Sequence, residues 1–183
     1  MKLLDELAVK YGADKTPRLK HHYTDVYASL FPLRELDVFK VCEIGTAEGA
    51  SLFMWRDYFP NATIYGGEID SKRVDMLQNQ DRIQVFKCDQ FNYKDVTALI
   101  EKTGGDIDLF IDDGSHHPTH QLFTCAWIMP LLKKDAIYVI EDVDDVSADN
   151  IFGHLIACGY SVQMIRVGLR HDDRLIIVRH KDE

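Results

Sequence analysis

The sequence predicts an α/β fold: one Rossmann-like, doubly wound, seven-stranded sheet, mostly parallel and closed by an antiparallel terminal hairpin. Three observations predict it. From residue 38 onward, short β-rich runs alternate with helical ones five times, the pattern of βα units in a parallel sheet. Two further β-rich runs, "SVQMIRV" and "RLIIVRH", are separated only by "GLRHDD", too short for a parallel crossover. The 183 residues suffice for one domain with a sizeable core. The chain therefore reads as a single domain over 1–183, with an N-terminal helical lid segment (1–37) and a core (38–183).

The elements follow in order. "MKLLDELAVKYG" reads as a short amphipathic helix, neither a signal peptide nor a membrane span. "VFKVCEIG" (38–45) is the first strand, and "ASLFMWRDYF" (50–59) a helix with an apolar stripe at Leu52, Trp55 and Phe59. "TIYGGEID" (63–70) is the second strand, followed by a helix over 71–80 with Ser71 as its N-cap. "IQVFKCD" (83–89) is the third strand, and "YKDVTALIEKTGG" a helix ending in a glycine stop. "DLFIDD" (108–113) is the fourth strand. The helix over 118–129 opens on Pro118, with a stripe at Leu122, Phe123, Ala126 and Trp127, and Pro130 biases Met129 out of helical geometry. "AIYVIED" (136–142) is the fifth strand, and "SADNIFGHLIAC" a helix closed by Gly159.

Composition narrows the function. The net charge of −9 and pI near 5.3 argue against nucleic-acid binding, which needs a broad basic face. The one basic cluster, "KTPRLKHH" (15–22), brings Lys15, Arg18 and Lys20 together, either as a solvated loop or as an anion-contacting loop over a ligand. Four cysteines without a C-x-x-C pair fit reduced thiols in a cytosolic protein, and no apolar run is long enough for a membrane span.

In doubly wound sheets, ligands bind beyond the carboxyl ends of the strands. Here all five ends carry acids: "EIGTAEG", "EID", "CDQ", "DDGSHH" and "EDVDD". The turn Glu43-x-Gly45-x-Ala47-x-Gly49 puts glycines where backbone must approach a ligand at a helix N-terminus. Glu68, about 20 residues further on, suits a ribose diol. Asp89 and Gln90 can then pair with an adenine edge.

These motifs resemble the class I S-adenosylmethionine-dependent methyltransferases. The likeness runs from "YGADK" and "HHYTDVY" through "EIGTAEGASLFMWRDYFPNATIYGGEID" to "IDDGSHHPTHQ" and "YVIEDV". The last two motifs resemble the metal-dependent sugar O-methyltransferases of macrolide biosynthesis, of the mycinamicin and macrocin type. The resemblance implies S-adenosylmethionine at Glu43, Gly45, Ala47, Gly49, Ser51, Glu68, Ile69, Asp89, Gln90 and Asp112, with Tyr23 from the N-terminal segment. It implies Mg²⁺ on Asp113, Glu141 and Asp142, and His116 as general base. Ala47 and Glu68 depart from the commoner glycine and aspartate. The chain is shorter than the antibiotic-sugar enzymes, so a macrolide acceptor does not carry over.

The chemistry of the residues agrees. Neighbouring fourth and fifth strands bring Asp113 to the Glu141–Asp142 pair, and three such carboxylates raise one another's pKa unless a cation neutralises them. Hard oxygen ligands suit Mg²⁺, and a sugar's vicinal diol can complete its shell. Asp112 fits a loop hydrogen-bond acceptor and a cofactor contact equally well, while blander roles fit His117 and His120 as structural groups and Asp144 and Asp145 as solvated or capping residues.

The expected activity is Mg²⁺-dependent O-methylation of a sugar hydroxyl on a small-molecule or glycan acceptor. No nucleic-acid or membrane partner is expected, and a homodimer is compatible with this reading. A catechol-type enzyme, with Trp55, Tyr23 and Phe91 as an apolar slot over the metal, is the alternative. An idle nucleoside-binding module is another.

Overall fold

A computed structural model of the chain describes residues 3–33 and 38–181. Seven strands form one sheet in the order β3-β2-β1-β4-β5-β7-β6. They are β1 (Lys40–Ile44), β2 (Thr63–Glu68), β3 (Ile83–Lys87), β4 (Leu109–Asp112), β5 (Ile137–Ile140), β6 (Ser161–Arg166) and β7 (Arg174–Arg179). The first five are parallel, and β7 runs antiparallel to both β5 and β6. Strand order reverses between β1 and β4, the place where such sheets open a ligand crevice.

The central strands are apolar on both faces because helices cover both. On one side Val41, Ile64, Leu109, Ile111 and Val139 pack with α1 (Leu3–Tyr11), α2 (Thr24–Leu30) and α3 (Ala50–Tyr58). On the other, Cys42, Ile44, Phe110, Tyr138 and Ile140 pack with α5 (Tyr93–Thr103), α6 (Pro118–Ile128) and α7 (Ala148–Ala157). A short α4 (Ser71–Met76) follows β2. This two-sided burial explains why the strands read as continuous apolar runs. The stripe Leu52, Trp55 and Phe59 is fully buried, as its spacing requires. Cys42, Cys88 and Cys125 are buried free thiols, and Cys158 is exposed.

Four local expectations give way. Asp70, not Ser71, caps α4: its carboxylate accepts from the Lys72 amide, and Ser71 is the first helical residue. Met129 stays in right-handed helical geometry and begins a 3₁₀ turn through Leu131. In α6 the buried residues are Gln121, Thr124, Cys125 and Ile128, while Phe123 is exposed. Gln121 Nε2 donates to the Glu141 carbonyl and Thr124 Oγ1 to the Gln90 carbonyl, so strand-end oxygens draw the polar face inward. The N-terminal segment also has a core role that its sequence did not show. Leu4, Leu7, Ala8, Tyr23 and Tyr27 sit in the core; residues 1–2 and 34–37 of that segment lie outside the described residues.

Two glycines with positive φ separate conformational cost from steric cost. Gly45 (φ +88) lies under the β4 loop, where an added Cβ would stand 2.0 Å from the Asp113 carbonyl oxygen. Gly12 (φ +75), past the end of α1, would meet nothing within 4 Å. Gly12→Ala should therefore lose only the left-handed penalty, ~1–2 kcal/mol. Gly45→Ala should lose clearly more, because backbone cannot rotate aside. Urea unfolding of both variants checks this, and equal losses would contradict the packing argument.

Candidate active site

The parallel register aligns the strand ends. The Gly45 amide donates to the Gly67 carbonyl, Asp113 to Ile44 and Glu141 to Asp112, each at 2.9–3.0 Å. Beyond them opens a cavity of about 620 Å³, the size that takes a small-molecule ligand. Its lining includes Gly45, Thr46, Ala47, Ser51, Glu68, Ile69, Asp89, Gln90, Asp113 and His116, together with Gly12 to Asp14 from the N-terminal segment. Ala47 is held at φ +44, which explains why glycine is commoner at that place. Glu68 fixes this turn: its Oε2 accepts from the Ala47 amide and its Oε1 from the Asp70 amide, each at 2.9 Å. Each oxygen keeps a lone pair for a ligand hydroxyl. Thr46 Oγ1 is buried in the cavity-lining turn with no protein partner. These features fit a nucleoside-type cofactor.

Behind the cavity lies an ionic cluster that the sequence did not announce. Lys15 is 1% exposed, and its Nζ stands 2.7 Å from Asp113 Oδ2, in contact with Glu141 Oε2 and 3.6 Å from Glu43 Oε1. Burial alone would lower the Lys15 pKa. The carboxylates of Asp113, Glu141 and Glu43 outweigh it and hold the ammonium well above its ordinary range. Burial pushes the Glu43 and Glu141 carboxyls up even with Lys15 beside them. One ammonium does not neutralise three carboxylates, so the cluster favours a further cation.

The second arm is Asp142, held at φ +50 just past Glu141. The buried Tyr23 donates to its Oδ1 at 2.7 Å. Burial, with Asp142 and Glu141 nearby, raises the Tyr23 phenol so far that it remains a donor. His116, at φ +54, places Nε2 3.9 Å from both Asp113 Oδ1 and Asp142 Oδ2. Ligand atoms of Asp113, His116 and Asp142 lie within 4.8 Å of one another: two carboxylates compatible with a divalent ion, with an imidazole nitrogen beside them.

The expected residues thus fall into three groups. Gly45, Ala47, Ser51, Glu68, Ile69, Asp89 and Gln90 meet at the cavity. Gly49 stands at the N-terminus of α3, where an added Cβ would meet Leu77 and not the cavity. Glu43, Asp112 and Tyr23 do not reach the cavity. Glu43 accepts from Ser51 Oγ and Trp55 Nε1 at 2.7 and 2.6 Å, so both oxygens are committed below it. Asp112 is fully buried and accepts from Gln90 Nε2 and Tyr138 Oη. Glu141 lies outside the Asp113–His116–Asp142 set because Tyr27 Oη and Lys15 Nζ take its oxygens. Trp55 and Tyr23 are buried in the core and Phe91 stacks on His120, so they form no slot over Asp113.

His117 caps α6, accepting from the Thr119 amide, and His120 lines the cavity with its Nδ1 2.7 Å from Ser115 Oγ. Gln121 and Thr124 are the residues that sequence reasoning missed, and Lys15 of the basic cluster meets carboxylates of the protein itself.

Comparison with known proteins adds a family. A profile described as a methyltransferase domain matches residues 42–143. The 8-demethyl-8-alpha-L-rhamnosyl tetracenomycin-C 2'-O-methyltransferase of Streptomyces olivaceus is 34% identical over 145 residues, covering 75% of this chain and 36% of that protein. The mycinamicin VI 2''-O-methyltransferase of Micromonospora griseorubida is 34% identical over 150 residues, covering 76% and 36%. Among solved structures, the MycE methyltransferase of the mycinamycin biosynthetic pathway, in complex with Mg and SAH, superposes with a TM-score of 0.76 at 26% identity. It covers 97% of this chain and 54% of that one. The chain therefore spans about a third of the length of the curated relatives it matches.

Two predictions follow from the buried charges. Lys15→Met leaves Glu43, Asp113 and Glu141 without their ammonium and should cost ~3–5 kcal/mol. Adding Glu141→Gln should recover part of that loss in a double-mutant cycle; no recovery would mean Lys15 acts only through packing. Asp112 is a different case: burial raises its carboxyl to about 7, despite donors from Gly114, Tyr138 and Gln90. Native stability associated with its protonated form is full below about pH 4 and is lost as pH rises through about 7. Asp112→Asn should therefore match wild type near pH 4 and exceed it at pH 8, by on the order of 2–4 kcal/mol. Urea unfolding at the two pH values reads the difference.

Proposed function

The chain belongs to the methyltransferase-domain family, and on that premise we propose that it transfers a methyl group from S-adenosylmethionine to a sugar hydroxyl of a glycosylated small molecule, with a divalent ion such as Mg²⁺. One observation carries the reading. His116 Nε2 stands 3.9 Å from an oxygen of each of Asp113 and Asp142, beside the cavity that Gly45 and Glu68 shape. The relatives' names support the acceptor class, and MycE in complex with Mg and SAH supports the two cofactors.

The residues divide the work. Glu68 would accept from the ribose hydroxyls of the donor, and the turn from Gly45 to Ser51 would hold its amino-acid portion. Asp113 and Asp142 would hold the ion, and Glu141 could join them only by releasing Lys15. When bound, the donor supplies a methyl group already activated on sulfonium, and the ion lowers the pKa of the hydroxyl it holds. His116 takes the hydroxyl proton at Nε2, a contribution worth ~10²–10⁴ in rate. Gly12 to Asp14 exclude water from the donor's exposed side. In-line positioning of acceptor against donor supplies much of the remaining barrier reduction.

Removing a ligand and removing the base should fail differently in a methyl-transfer assay on a rhamnosylated acceptor. Asp113→Asn should lose activity that high magnesium partly restores, by mass action on a weakened site. His116→Gln should lose ~10²–10⁴ in rate at any magnesium concentration and regain some at high pH, where the acceptor ionises without a base. Full turnover by the wild type in EDTA would refute the metal requirement.

A further inference from the structure

We propose that His21, Asp142 and Asp172 form a second divalent-cation site, suited to a transition ion such as Mn²⁺, Co²⁺ or Zn²⁺. It lies on the Asp142 oxygen opposite the one that faces His116. The proposal rests on the preceding reading only in sharing Asp142 with it.

The carrying observation is an unpartnered nitrogen. His21 is 1% exposed, yet its Nε2 has no hydrogen-bond partner. Its other nitrogen is fixed: Nδ1 lies 2.8 Å from Asp173 Oδ1, and Asp173 is itself anchored by the Arg170 amide at 2.9 Å to Oδ2. A carboxylate at Nδ1 fixes the ring and aims Nε2 away from that contact, the arrangement that orients metal-bound histidines. Nε2 faces Asp142 Oδ1 at 3.4 Å and Asp14 Oδ2 at 4.0 Å, beyond hydrogen-bond closure to either.

The geometry is already near closure. Ligand atoms of His21, Asp142 and Asp172 lie within 4.8 Å of one another. Metal–ligand distances of about 2.0–2.2 Å require only small further contraction. Tyr23 holds the set in place. Its ring stacks on the His21 ring at 4.8 Å and 5°, while its Oη donates to Asp142 Oδ1 and to the Asp172 carbonyl.

One imidazole with carboxylates suits Mn²⁺, Co²⁺ or Zn²⁺ better than Mg²⁺, which prefers an all-oxygen shell. Two cations stand at the site. Lys20 Nζ lies 3.6 Å from the other Asp142 oxygen and 3.4 Å from Asp14 Oδ2, and Arg170 holds both Asp172 oxygens, Nε to Oδ1 at 3.0 Å and Nη2 to Oδ2 at 3.2 Å, so an ion binding here would displace the half-exposed Arg170 head from Asp172. Asp142 would then bridge two ions, Oδ2 toward His116 and Oδ1 toward His21.

Equilibrium dialysis of the full chain against Co²⁺, with metal analysis and visible absorption, tests the site without an activity assay. The wild type should bind two ions per chain, His21→Gln and Asp113→Asn one each, and the two variants should differ in their cobalt absorption. If His21→Gln fails to fold, Asp172→Asn, at a partly exposed position, should weaken one ion at least tenfold. A single ion lost in Asp113→Asn and unaffected by His21→Gln or Asp172→Asn would overturn this proposal and leave the magnesium reading standing. A single ion lost only in the His21 and Asp172 variants would do the reverse. With Mn²⁺, spin coupling between two bridged ions in the wild type, absent in His21→Gln, would support the shared Asp142.

Discussion

The contact of Lys15 with Glu43, Asp113 and Glu141 is the constraint on which the rest of the site depends. The three acids stand at the ends of β1, β4 and β5, and the lysine arrives from a segment about a hundred residues distant in sequence from the latter two. Without an internal cation, three carboxylates so placed would either take up protons or push the strand ends apart. With it, the N-terminal segment is fastened over the carboxyl edge of the sheet. Within that segment the Tyr23 and Thr24 amides both donate to the Lys15 carbonyl, which closes the loop that carries the lysine. Gly12 to Asp14 are thereby laid against the cavity, and His21 and Tyr23 against Asp142.

Held this way, the sheet edge can sustain strained backbone. Ala47, His116 and Asp142 all have positive φ, at 44°, 54° and 50°, and each follows a different strand of the central three. Such conformations cost non-glycine residues on the order of 1–3 kcal/mol and persist only where surroundings enforce them. The enforcing contacts are visible: Glu68 on the Ala47 amide, Tyr23 on Asp142, and the Ser115 amide on Gln90 ahead of His116. The strain turns the His116 ring toward Asp113 and Asp142. An unstrained turn would carry it elsewhere.

The sequence made the fold legible because burial on both faces writes each central strand as an uninterrupted apolar run, and glycine or proline marks most helix ends. It made the strand-end acids legible because topology alone brings those ends together. It did not reveal which acids face the ligand. Glu43 and Asp112 look like Glu68 and Asp113 in the chain, but Trp55, Ser51, Gln90 and Tyr138 turn the first pair inward, and all four donors lie outside the strand that carries the acid. Periodicity likewise misplaced the buried face of α6. Apolar spacing pointed to Phe123 and Trp127, while the inward positions of Gln121 and Thr124 are decided by carbonyls at the ends of other strands. Short-range pattern cannot encode a hydrogen bond to a distant strand end.

Charge also orders the possible metal ligands. Glu141 Oε2 is held by Lys15 and Oε1 by Tyr27, whereas Asp113 Oδ1 and Asp142 Oδ2 face His116 across open space. These two oxygens are thus less committed than those of Glu141, with Lys20 Nζ 3.6 Å from Asp142 Oδ2 as the nearest ammonium. Engaging Glu141 would mean expelling a buried ammonium from its strongest partners, with the segment that carries it. That segment lines the cofactor cavity, so a metal that displaced Lys15 would also disturb the cofactor's wall, and by reciprocity the cofactor would oppose such a metal. The arrangement of least movement keeps Lys15 among Glu43, Asp113 and Glu141, with Asp113 Oδ1 and Asp142 Oδ2 turned toward His116.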